Sequence, residues 1–132
     1  MKIVIFTLCQ AANIDTHGNL NILGAFDVIK ADGVPVIQPC MLALKLRFEK
    51  RDEGNKSIKF SFIDADGKKV LPKLEKKLTI KIPPNESYVS LSMAIPIPQL
   101  KLESFGNYSM NIAIDDHYIS AFDVKLFQNP KN

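Results

Sequence analysis

Apolar side chains recur at every second position through most of the chain. Leu42, Leu44, Leu46 and Phe48 alternate with Ala43, Lys45, Arg47 and Glu49. Ile58, Phe60 and Phe62 alternate with Lys59, Ser61 and Ile63, and Leu78, Ile80 and Ile82 with Thr79 and Lys81. Val89, Leu91, Met93 and Ile95 interleave with Ser90, Ser92 and Ala94; Tyr108, Met110, Ile112 and Ile114 interleave with Ser109, Asn111 and Ala113. A period of two puts one set of side chains on a buried sheet face and the other on a wetter one. Leu44, Leu46, Phe60, Ile80, Leu91 and Ile112 are therefore expected in one shared core.

The ends of the chain are less regular. Ile3 to Leu8 is apolar apart from Thr7, as in a strand with neighbours on both sides. Leu20, Ile22, Phe26 and Val28 keep even parity around Gly24, where an interior glycine signals a bulge or a close backbone approach. In the last strand, Ile119 and Ala121 are followed by Phe122, Val124 and Leu126, and this change of parity predicts a bulge near Ser120.

Turn residues separate the runs: Asp15-Thr16-His17-Gly18, Asp32-Gly33, Asp52-Glu53-Gly54-Asn55, Asp64-Ala65-Asp66-Gly67, Pro83-Pro84-Asn85 and Asp115-Asp116. No window supports a long amphipathic helix. About eight short strands at this spacing predict an all-β fold, an antiparallel β-sandwich of immunoglobulin-like or jelly-roll-like type. The 132 residues, positions 1–132, fit a single domain.

Ile95-Pro96-Ile97-Pro98 interrupts this regularity. Two prolines with one residue between them remove two donors from the same side of a strand, so that side cannot carry a ladder. The segment is expected to leave its strand as a sheet edge or crossover, with Ile95 and Ile97 inward and Gln99 and Lys101 wet. The alternative is an exposed apolar partner surface that includes Leu100 and Leu102.

Charge adds one feature. The net charge is +3, too small to point to nucleic acid or a membrane. Lys68 to Lys81, however, holds six lysines and one acid, Glu75. Lys73, Lys76 and Lys77 are the candidate surface for an anionic partner. The segment has no aromatic residue to stack on bases and is interrupted by Pro72, so a solvated sheet edge is the expected role.

Candidate chemistry is sparse. Cys9 and Cys40 are too few for a disulfide framework, and their apolar neighbours predict buried, reduced thiols. The N-terminal apolar run is short for a signal peptide, and Leu8 stands where a lipoprotein cleavage site wants a small residue. A first strand and a cytoplasmic protein are therefore expected. If Gly67 were the sixth position of a calcium loop, Phe62 and Lys73 would hold the first and twelfth, and neither supplies a carboxylate. His17 and His117 fall in turns without metal-ligand spacing. Cys9 and His17 would stand more than about 20 Å apart on an extended strand. No nucleophile elbow, phosphate loop or dinucleotide glycine pattern is present. No cofactor, metal or catalytic residue is predicted, and the protein is expected not to be an enzyme.

Three segments carry a resemblance: the opening strand with Cys9-Gln10-Ala11, the run Gly18-Asn19-Leu20-Asn21-Ile22-Leu23-Gly24-Ala25-Phe26, and Phe105-Gly106-Asn107-Tyr108 leading into a strand. Together they resemble an uncharacterised bacterial family of small single-domain proteins, a domain of unknown function. The similarity runs through nearly the whole chain. It implies an antiparallel β-sandwich in a non-secreted protein, and it brings no activity and no catalytic residue. The first functional reading is a non-catalytic binding or accessory module with a protein partner. The second is a structural homo-oligomeric subunit. The third is an enzyme whose site is assembled from distant residues.

Overall fold

The computed structural model describes residues 1–131. The chain forms β1 (Lys2–Ile14), β2 (Leu20–Phe26), β3 (Val28–Ala31), β4 (Val36–Glu49), a single 3-10 turn (Lys50–Asp52), β5 (Gly54–Asp64), β6 (Leu74–Ile80), β7 (Tyr88–Leu102), β8 (Gly106–Ile114) and β9 (His117–Gln128). The strands make two sheets, ordered β2-β1-β4-β7 and β3-β9-β8-β5-β6. All pairs are antiparallel except β3 with β9, which is parallel.

Period-two burial makes the two sheets face each other. Leu42, Leu44, Leu46 and Phe48 from one sheet and Ile58, Phe60, Phe62, Met110 and Ile112 from the other belong to a single apolar cluster. Five of the six expected core residues are buried; Leu91 is half-buried against the same cluster. Removing these side chains from water supplies the main driving force for holding the layers together. The continuously apolar β1 does lie between two neighbours, β2 and β4.

Two expectations about strands need correction. Leu20 to Val28 is not one strand. The chain changes sheets at Asp27, so Phe26 ends β2 while Val28 begins β3 beside β9. Burial parity inverts there: Val28 is exposed and Ile29 is buried. With this crossing the strands number nine among the described residues. Gly24 brings no register shift; its φ is +66° and a Cβ would stand 2.6 Å from the Gln10 side chain, so the close-approach explanation holds.

The second correction concerns the prolines. Strand β7 does not leave the sheet at Pro96 but continues to Leu102, laddered with β4 on one side. It is an edge strand, as the missing donors require. Gln38 pairs with Leu100 and Cys40 with Ile97, so β7 carries one extra residue between Ile97 and Leu100. This bulge changes parity. Ile95 and Ile97 point inward, and after the bulge so do Leu100 and Leu102, both 0% exposed. Leu100 and Leu102 are therefore core residues and offer no partner surface.

A bulge does occur near Ser120, at a register shift where Ile112 faces Ser120 and Ala113 faces Tyr118. At the start of β8, the Tyr108 hydroxyl donates to the Ser104 carbonyl at 2.5 Å, and its ring stacks on Phe62 with centroids 5.4 Å apart.

Candidate functional site

The outward parity of the five-stranded sheet forms the floor of a groove. Strand β5 contributes Lys59, Ser61 and Ile63, and β8 contributes Asn111 and Ala113. Tyr118, 68% exposed at the start of β9, stands at one margin. The segment from Lys69 to Leu74 forms the opposite wall. That wall is pinned to the sheet by the Val70 amide, which donates to the Phe62 carbonyl at 2.7 Å, and by a bridge between Ile63 and Lys69. The groove is open to solvent and offers about 550 Å³, a size within the range of ligand pockets.

Three lysines, Lys59, Lys69 and Lys73, line this groove, and among the described residues no carboxylate does. Two of the cations are partly neutralised from the rim. The Lys59 ammonium pairs with Asp116, which raises the lysine pKa and lowers that of the aspartate. Lys73 pairs with Glu75 at 2.9 Å. That contact and the Ser57 hydroxyl, which donates to Glu75 at 2.9 Å, hold the Glu75 carboxyl down at about 2. Lys69 forms no ion pair with a described residue. On the floor, the Asn111 amide donates to the Ser109 carbonyl at 3.3 Å, which orients its side chain.

Of the lysines named from sequence, only Lys73 enters the groove. Lys77 lines a separate depression with Lys56 and Asp115. Lys76 sits opposite Ile58, on the core-facing side of β6, and is nevertheless exposed because β6 is an edge. Asn111 and Tyr118 were absent from the sequence candidates. The wet parity of Asn111 was a usable signal; nothing in the sequence signalled that the loop wall and Tyr118 would border the same groove.

The remaining candidates take up structural positions. Asp15 and Asp64 build the same turn: each Oδ1 accepts two backbone amides, from His17 and Asn19 in one case and from Asp66 and Lys68 in the other. In each turn a glycine amide donates back to the aspartate carbonyl, with Gly18 and Gly67 at φ +78° and +81°. His17 and His117 are exposed in different hairpins. Among the described residues no cluster of three or more His, Cys, Asp or Glu is placed to hold a metal, and no helix is long and apolar enough to cross a membrane.

Cys9 and Cys40 are buried and unpaired. Cys40 packs in the core, whereas Cys9 stands on the opposite face of the sheet, where its thiol donates to the Met41 carbonyl at 3.6 Å. Burial raises both thiol pKa values, that of Cys40 to about 11 with Cys9 adding to the effect. The model of a family of unknown function, DUF6941, matches residues 4–126. No curated protein matches the chain.

Proposed function

The chain belongs to this family of unknown function, and from its own geometry we propose that it is a non-catalytic binding module that holds an acidic segment of a protein partner. One observation carries this reading: the outer groove of the five-stranded sheet is lined by three lysines and, among the described residues, no carboxylate. Its apolar margin of Ile63, Leu71, Pro72 and Tyr118 would cover the hydrocarbon parts of such a segment, and Asn111 and Ser61 would meet its backbone.

The scaffold reading that goes with it is an immunoglobulin-like sandwich forming one domain. The parallel β3–β9 pair and the order β9-β8-β5 support it, as does the Tyr108 hydroxyl tied to backbone just before its strand. Two unpaired thiols on opposite faces of a sheet suit a reducing, cytoplasmic setting.

Titration with a synthetic peptide rich in Asp and Glu and carrying one aromatic residue tests the proposal, with backbone amide shifts as the readout. Shifts confined to Lys59, Ser61, Asn111 and Tyr118, reduced by Lys69→Glu and by added salt, are expected. Absence of shifts in the groove, or shifts that persist unchanged in Lys69→Glu, would overturn it.

A further inference from the structure

The four sheet edges are not equally protected against pairing with other chains. Strand β3 has only four residues. Strand β6 carries Glu75, Lys76 and Lys77, with Lys76 on the core-facing side. Strand β7 presents Pro96 and Pro98 and a bulge. Short length, charge, an inward lysine, proline and bulges are the devices that blunt an edge. Strand β2, Leu-Asn-Ile-Leu-Gly-Ala-Phe, has none of them.

Strand β4 pairs with β1 only as far as Cys9, so Gln10 to Ile14 and their partners in β2 continue as a two-stranded arm, which lies near β4 and β7 while the outer edge of β2 stays unpaired. Asn21 to Ala25 are all exposed. Leu23 is 67% exposed, Ile14 43% and Ile22 36%. Between Lys2 and Asp15 there is no charged residue, and none lies between Gly18 and Asp27.

We infer that β2 pairs antiparallel with β2 of a second copy of this chain, joining two four-stranded sheets into one sheet of eight strands. The occupant follows from charge. In a twofold antiparallel pair each residue meets a residue of the same strand, so any charge near the axis opposes its own kind. Strand β6 would set lysines against lysines; the neutral β2 has no such conflict. A partner chosen by charge would need a charged strand to read. Alternate residues of β2 turn their amides and carbonyls away from β1, and self-pairing satisfies them while covering Ile22 and Leu23. A seven-residue edge lies at the small end of specific interfaces, so the dimer is reversible and its population rises with concentration.

Sedimentation equilibrium of the full chain over a concentration series tests this, alongside Ile22→Lys. The wild type should approach twice the 14.8 kDa of one chain, and Ile22→Lys should remain at one chain with an unchanged β-sheet circular dichroism spectrum. A wild type that stays at one chain throughout, or a folded Ile22→Lys that still doubles, overturns the inference. Should Ile22→Lys fail to fold, amide exchange of the wild type decides. Protection of Leu20–Phe26 that grows with concentration supports the pairing, and exchange independent of concentration overturns it.

Discussion

The two flanks of the molecule solve the same problem differently. On one flank β6 and β7 end their sheets side by side, with an apolar opening of about 370 Å³ between them, lined by Leu71, Leu74, Pro96 and Ile97. Both edges there are blunted, and the leucines after the proline bulge turn inward. On the other flank the chain passes from β2 to β3 through Asp27 alone, and β2 is left neutral and exposed. The leucines beside the proline edge are thus withdrawn into the core, whereas Ile22 and Leu23 of β2 stay exposed.

The contrast is sharpest for two leucines. Leu100 is fully buried and Leu23 is 67% exposed. Leu100→Ala should lower the stability of the monomer by about 2–5 kcal/mol, whereas Leu23→Ala should change it by less than about 0.5 kcal/mol. Urea denaturation at low protein concentration measures both. Comparable losses at the two positions would erase the distinction between the flanks.

The second way to break the comparison is to unblock the closed flank. Pro96→Thr with Pro98→Thr restores two backbone donors on the free side of β7. The expected result is association that climbs past a pair as concentration rises, read by light scattering. A double variant that associates no further than the wild type would show that the prolines are not what protects this edge.

The smallest effect concerns acid. The folded Glu75 carboxyl is held near 2, below its ordinary 4.5, chiefly by Lys73 and then by the Ser57 hydroxyl. A depressed carboxyl contributes stability that is present above its unfolded value and is lost as pH falls toward the folded one. That contribution should therefore fade between about pH 4.5 and 2. Carboxyl NMR titration of the wild type should give the low value, and Lys73→Gln should move it up. An unshifted Glu75 in the wild type would remove the rim contact that neutralises Lys73.

The sequence is legible where each strand keeps one face wet. Parity located the cores of β4, β5 and β8, and the floor of the groove follows from the same alternation, because Lys59, Ser61 and Asn111 fall on the wet side. The paired prolines identified an edge. Legibility failed at single-residue events. Asp27 switches sheets without any break in apolar parity among Leu20, Ile22, Phe26 and Val28, so β2 and β3 read as one strand. One extra residue beyond Ile97 moved Leu100 and Leu102 from surface to core. The groove's composition was beyond reach for a different reason. Lys69 and Tyr118 border one groove from opposite margins through the Val70 tether and the β8–β9 hairpin, and tertiary placement of that kind leaves no local mark.

Polymer chemistry classifies monomers by valence, and the prolines of β7 can be stated in those terms. A sheet with two reactive edges is a bifunctional monomer, and its growth has no natural end. On the proposed pairing, Pro96 and Pro98 would remove the far end of β7 from the reactive edges of the four-stranded sheet and leave β2 to couple. Chains of such units terminate at the first coupling. Two missing hydrogens on one strand would then limit the sheet that the proposed pairing builds, at the opposite margin from β2.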